Sequence, residues 1–253
     1  MSRTLVTVDV EGDHGTDELQ GIDEWLPWLL DRFDHHGVRA VFFVVGDVGL
    51  RRPKSVREMS SRGHIIGSHG MTHRPLSSLA ESEVRTELVE SKAILEDLSA
   101  AQCEGFRAPY FDAPQHLEAM LYDCGYRWSS SRAPWSPIGG GGMATVPATA
   151  DIHCHPVSRL MGLPLPDGLS WRRQFWPLSR WAPAPPVFYL HPYELLDTIG
   201  GFGHPRHWRI LMARRNGARA RSYLDELLSR WSSLGVDLSP SVGHGVEDDL
   251  VQR

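Results

Sequence analysis

The sequence predicts an α/β fold with a parallel sheet and outer helices, and three observations carry that expectation. Short β-branched runs alternate with segments of helical periodicity. The strand-like runs are continuously apolar, as strands covered on both faces are. Glycines stand where the helical patterns stop. A length of 253 residues exceeds the usual domain, yet α/β barrels reach it as one unit. Catalytic groups of such folds sit at the C-terminal ends of the strands.

Residues 4–10, TLVTVDV, read as a buried strand that ends on acids. Residues 22–36 place Ile22, Trp25, Leu26, Leu29, Leu30 and Phe33 on one helical stripe, and Gly37 follows. Residues 40–45, AVFFVV, form the second strand. Residues 53–62 read as a helix ended by Gly63, and a short strand at 64–67 delivers His69. Residues 82–98 carry the stripe Val84, Leu88, Leu95 and Leu98. A short strand at 105–107, a helix at 114–124 before Gly125 and a strand at 126–129 continue the alternation. From 131 to 186 the pattern gives way to Gly and Pro with Trp135, Trp171, Trp176 and Trp181, which reads as long active-site loops. Residues 187–190, VFYL, form a strand presenting His191, and 218–234 a closing amphipathic helix. Residues 1–241 are expected to form a single domain and 242–253 a frayed tail.

Composition removes several classes of function. The apolar share of 41% and the charged share of 23% are those of a globular protein. A formal charge of -5 argues against nucleic acid as a partner, because a phosphate lattice needs clustered Lys and Arg. Three Cys without a CxxC pair fit a reducing compartment. The apolar stretch near the N-terminus is broken by Asp9 and Glu11, so it reads as neither a secretory segment nor a membrane span, and no window elsewhere approaches the roughly 18 apolar residues a spanning helix needs. The expected address is the cytoplasm, with no transmembrane segment; the oligomeric state is not legible.

Chemistry-bearing residues cluster in a few phrases. Asp9 and Glu11 alternate along a strand, so both carboxylates point to one side, as catalytic groups or as surface acids at a strand end. His69 and His73, in GSHGMTHRP, are four residues apart, which on a helical turn would bring both imidazoles to a common point. Two imidazoles completed by a carboxylate suit a divalent metal with positions open for water and substrate. Arg107, in RAPY, is a surface arginine or the partner that holds Asp9 ionised. His191, at the end of a strand, is a satisfied loop histidine or a general acid.

Taken in order, DVE, HxxxHRP, RAPYF and LHP resemble the polysaccharide deacetylase family with the NodB-type fold, carbohydrate esterase family 4, over roughly residues 4–195, in the branch whose first motif is DVE. The resemblance implies a distorted (β/α) barrel with parallel strands and outer helices. It implies a hydrolase that removes an acetyl or formyl group from an amino sugar, free or carrier- or lipid-linked. Asp9 becomes the base, and Arg107 its orienting partner. The Tyr110 backbone N–H becomes an oxyanion donor and His191 the acid. Glu11, His69 and His73 become ligands to a divalent ion, zinc first, with nickel, cobalt or manganese as alternatives. Val10 stands where the commoner motif has its metal-binding Asp, which is why the ligand role passes to Glu11. Leu190 would line the acyl pocket, and Pro109, His14 and Trp176 are counted with the substrate contacts.

One position departs from the family. Ser129 occupies the place of an Asp that tunes the acid His and cannot supply a negative charge, so the resemblance leaves three readings: a slower enzyme, another acid such as Asp151, or a different amide. A small-molecule amidase of the allantoinase type and a catalytically impaired carbohydrate-binding protein are the alternative readings. His153, Cys154 and His155 form a rival metal cluster, without a fourth ligand at fitting spacing. Trp171 to Trp181, interleaved with Arg172, Arg173 and Arg180, read as a sugar-stacking lid, a membrane-surface patch or plain packing. His14 and Asp13 lie near enough to Glu11 to touch substrate or metal, with a solvated loop as the bland alternative.

Overall fold

A computed structural model describes residues 4–13, 16–131, 144–145, 150–151, 187–197 and 216–238, with backbone alone at 144–145 and 150–151. Strands β1 (Leu5–Val10), β2 (Val41–Val44), β3 (Ile65–Ser68), β4 (Gly105–Phe106), β5 (Trp128–Ser129), β6 (Ala144–Thr145), β7 (Ala150–Asp151) and β8 (Val187–Leu190) alternate with helices. These are α1 (Gln20–His35), α2 (Gly46–Arg51), α3 (Pro53–Ser61), α4 (Glu81–Ser99), α5 (Leu117–Asp123) and α6 (Ala218–Ser233). Every strand pairing is parallel, in the order β6-β5-β4-β3-β2-β1-β8-β7. The sheet curls into the distorted barrel that the sequence predicts.

Strand alternation divides the side chains between two faces. Val6, Val8 and Val10, Phe42 and Val44, and Phe188 and Leu190 face the helices and pack with Leu29, Leu30 and Phe33 of α1, Leu88 and Leu95 of α4, and Leu224 and Leu228 of α6. Val41, Phe43, Trp128 and Val187 form a smaller cluster on the opposite face. Each of these buried apolar side chains contributes roughly 1.5–3 kcal/mol, which explains why the strands read as unbroken apolar runs.

Two differences from the sequence expectation have physical causes. Helix α2 carries no helical stripe, because it is six residues long and includes Gly46 and Gly49. It is held by packing instead: a Cβ on Gly46 would lie 2.4 Å from Met71 Sδ. Within the expected loop 131–186, β6 and β7 add short strand pieces too brief for periodicity to mark. The rest of that segment, including Trp135, Trp171, Trp176, Trp181 and the His153–Cys154–His155 cluster, lies outside the described residues, as do His14 and the 242–253 tail. Among the described residues no helix is long and apolar enough to cross a membrane.

His64, just before β3, ties the sheet to α1. It is 5% exposed, packs edge-on against Phe33 and Phe42, and its Nδ1 accepts the Ala40 N–H at 3.2 Å. Burial first, then repulsion from Arg39, pushes its pKa down to about 4. The unfolded chain therefore takes up a proton below about pH 6.5 while the folded one does so only near 4, and stability falls as pH drops through that window. In urea unfolding, wild type should lose about 2 kcal/mol more than His64→Asn between pH 7 and pH 4.5. A pH-independent difference between the two would mean that His64 takes up its proton as readily in the folded protein as in the unfolded chain.

Candidate metal centre and active site

The sheet register sets the site. Val10 is paired with Val44, Val44 with Ser68, Ser68 with Phe106, and Phe106 with Ser129. One residue further on, Glu11, His69, Arg107 and Ser130 therefore stand in a row along the C-terminal edge. On the other flank Val8 is paired with Leu190, which brings His191 level with Asp9. Residues distant in sequence thus become neighbours through backbone ladders alone.

Arg107 is fully buried and donates to Asp9 Oδ1 at 2.6 Å through Nη1, to the Ser130 hydroxyl at 2.7 Å through Nη2 and to the Ser130 carbonyl at 3.3 Å through Nε. Its guanidinium also lies 4.3 Å from the Phe43 ring centroid. A buried charge is tolerated only when paired and hydrogen-bonded, and these contacts meet that condition. Asp9 is 2% exposed, and its other oxygen, Oδ2, faces His191 Nε2 at 3.8 Å.

Glu11, His69 and His73 offer ligand atoms that all lie within 4.8 Å of one another. Glu11 Oε2 is 3.2 Å from His69 Nε2 and 2.6 Å from His73 Nε2. Burial acts to raise the Glu11 carboxyl, but its contacts with His69 and His73 and the charge of His191 hold it well below the usual carboxylate range. The 2.7 Å contact between His69 Nδ1 and the Arg107 carbonyl requires the proton on Nδ1, because a carbonyl only accepts, and it makes Nε2 the atom that faces Glu11 and is available to a cation. His73 Nε2 is buried and makes no well-aligned hydrogen bond. Two imidazoles and a carboxylate with their ligand atoms this close fit a divalent cation such as zinc.

The two histidines do not converge by helical spacing. They lie in the loop after β3, where Gly70 has φ 78° and His73 φ 58°. Backbone bonds pin this path, with Gly46 N–H donating to the Gly70 carbonyl and Asp47 N–H to the Met71 carbonyl. The short turn Pro109–Phe111 carries two more left-handed residues, Tyr110 and Phe111, and sets the Tyr110 ring 4.7 Å from that of His73. Among the described residues the Tyr110 backbone N–H has no acceptor. Pro109 packs beside Gly70.

At the acid end, Ser129 is turned elsewhere. Its hydroxyl donates to Ser131 Oγ, and that oxygen accepts the Ala108 N–H. The carboxylate beside His191 is Glu194, a residue the sequence reading passed over. Glu194 Oε1 lies 3.2 Å from His191 Nδ1, and Oε2 accepts the His191 backbone N–H at 2.8 Å. Burial acts to lower the His191 pKa, but the charges of Glu194, Glu11 and Asp9 raise it to about 10. A cation on Glu11 would oppose that rise. The signal was present in His-Pro-Tyr-Glu, where Pro opens the turn and the acid three residues after His191 reaches back to its backbone N–H, as in a capping box.

Two further expectations change. Leu190 is fully buried on the helix-facing side, and alternation makes Tyr189 the residue that shares a face with the site, near Arg107 and Phe111. Asp13 does not face Glu11's partners: both its oxygens accept the Gly21 N–H at the start of α1, and burial first raises its pKa to about 6. His14 and Trp176 cannot be compared, lying outside the described residues.

Residues 13–129 match the family model described as polysaccharide deacetylase. This segment belongs to the polysaccharide deacetylase family. A peptidoglycan-N-acetylglucosamine deacetylase of Bacillus cereus is 32% identical over 118 residues, covering 46% of this chain and 43% of that protein. A chitooligosaccharide deacetylase of Sinorhizobium fredii is 36% identical over 117 residues, covering 45% and 54%. The chain thus spans about half the length of the curated relatives it matches. Among solved structures, a peptidoglycan N-acetylglucosamine deacetylase superposes with a TM-score of 0.59 at 18% identity, covering 95% of this chain and 86% of the other. A wild-type CE4 family pseudoenzyme of Bacillus anthracis superposes with a TM-score of 0.60 at 16% identity, covering 94% and 63%. At such identities the likeness is one of fold, and the polysaccharide deacetylase fold hosts both an enzyme and a pseudoenzyme.

Replacing Arg107 by Met keeps most of its volume but strands Asp9 as a buried unpaired charge. Urea unfolding should show a loss of about 3–5 kcal/mol, part of which the double variant with Asp9→Asn regains. A loss below about 1 kcal/mol would show that the pair is not what holds the two sides of the site together.

Proposed function

We propose that this chain hydrolyses the N-acyl group, acetyl or formyl, of an amino sugar or sugar conjugate. The reading is supported most by one observation: the Asp9–Arg107 pair, the Glu11/His69/His73 triad and His191 converge at one strand edge, with His191 Nε2 3.8 Å from Asp9 and 3.9 Å from Glu11. Family membership of residues 13–129 and relatives named for deacetylating peptidoglycan and chitooligosaccharides point the same way.

Glu11, His69 and His73 would hold a divalent ion, zinc by donor type, and when bound it supplies a Lewis acid for the amide carbonyl and lowers the pKa of a water. Asp9, with Oδ1 held by Arg107, is left with Oδ2 to take the proton of the attacking water. The Tyr110 N–H, free of protein acceptors among the described residues, donates to the oxygen on which charge develops. His191 Nε2 returns a proton to the departing amine, and Glu194 on Nδ1 keeps that ring in the tautomer and orientation the transfer needs. Tyr193, stacked on His191 at 4.6 Å and 19°, restricts the ring further.

Mass spectrometry of an amino-sugar panel should show loss of an acyl group that stops on chelation and returns with zinc. Asp9→Asn should lower kcat at least about 100-fold with the metal content retained. Unchanged hydrolysis by Asp9→Asn would sink the assignment of the base, and a metal-loaded protein inactive on the whole panel would favour a binding role. Glu194→Gln should lower kcat about 10-fold or more with KM little changed, and an equal loss from Ser129→Ala would argue that the acid is tuned elsewhere.

A further inference from the structure

Glu87, on α4, is 2% exposed and plays no part in the proposed chemistry, yet its carboxylate accepts four directed contacts from one loop. Oε2 accepts the Met71 N–H at 2.6 Å and the Thr72 N–H at 2.8 Å. Oε1 accepts the Thr72 hydroxyl and, at 3.3 Å, Arg74 Nη2. Burying a carboxylate costs several kcal/mol unless its lone pairs are satisfied, so Glu87 is stable in this position only while residues 71–74 follow their present path.

That path is the one joining His69 to His73. The segment holds its left-handed turns at Gly70 and His73, the second of which costs a non-glycine residue on the order of 1 kcal/mol or more. A Cβ at Gly70 would lie 3.3 Å from Glu87 Oε2, so the loop and the carboxylate are fitted to each other. Beneath them, the Ser91 hydroxyl donates to the Glu87 carbonyl at 2.6 Å and lies 2.7 Å from the Ser68 hydroxyl, which accepts the Gly70 N–H at 3.1 Å. The start of the loop is thus tied to α4 through Ser91, and its middle and Arg74 are tied through Glu87.

We propose that Glu87 is a positioning residue for the metal centre: through the amides of Met71 and Thr72 it presets His69 and His73 at ligand separation before any ion arrives. This rests on the reading of Glu11, His69 and His73 as a metal site. A ligand pair preset in this way loses little conformational entropy on binding, and outer contacts of this kind typically govern affinity by about 10–100-fold.

The test uses chelator-stripped full-length protein, with zinc affinity measured by competition with a chromophoric chelator and fold checked by circular dichroism and apo thermal unfolding. Glu87→Gln keeps the size but loses the charge and one acceptor, and should weaken zinc binding by about 10-fold or more in protein that is still folded. Thr72→Val removes one donor and should weaken it by a smaller factor, while Glu90→Gln, on the exposed face of the same helix, should not change it. Wild-type affinity in Glu87→Gln overturns the inference, because a purely structural role would lower the apo melting temperature and leave the affinity of the folded fraction alone. If Glu87→Gln does not fold, wild-type affinity in Thr72→Val overturns it instead. A wild-type protein that takes up no zinc overturns the metal reading itself, and this inference with it.

Discussion

A guanidinium with no access to solvent lies under the candidate site, and much of the surrounding architecture satisfies it. Arg107 comes from the strand edge that also supplies the carbonyl fixing the His69 tautomer, so one short segment governs both the Asp9 carboxylate and one imidazole of the triad. Ser130 takes two further donors, and Ser131 secures the next amide of the same segment. The aromatic rings of Phe43, Phe111 and Tyr189 surround the charge, with centroids 4.3 to 5.6 Å away. In so dry a setting electrostatic contacts are strong, and an unmatched one is costly.

What the sequence revealed tracks the range over which each interaction acts. The strands β1, β2 and β8 and the helices α1, α4 and α6 were legible because burial on one or two faces imposes a period that any window of the chain displays. Asp9, Glu11, His69, His73, Arg107 and His191 were legible as candidates because strand ends concentrate chemistry, and their order in the chain carried the family. Helix α2 was not legible, since its stability comes from Met71 and the loop it meets rather than from its own residues. The same holds for the loop between His69 and His73. Spacing suggested a helical turn, whereas left-handed residues and backbone bonds to α2 produce the convergence.

Ser129 stands where the family that the sequence resembles has an Asp, and the carboxylate beside His191 comes instead from Glu194, in the turn that follows β8. Identity at one position was therefore a poor guide to the charge around the histidine. Local spacing within His-Pro-Tyr-Glu was the better guide. Leu190 and Tyr189 teach the complementary lesson, since adjacent strand residues face opposite sides and a shift of one position exchanges core for site.

The strand that carries Asp9 and Glu11 is among the first segments of the chain, but it lies between β2 and β8 in the sheet, and its pairing with β8 joins Leu5 to Val187. A contact across so much chain is closed against the entropy of the intervening loop. As the polypeptide lengthens during synthesis, β1 can pair with β2 early while its other edge stays open until the residues of β8 emerge. Histidine 191 can therefore join the two acids no earlier than the synthesis of the residues that end β8, whatever the earlier strands have already formed.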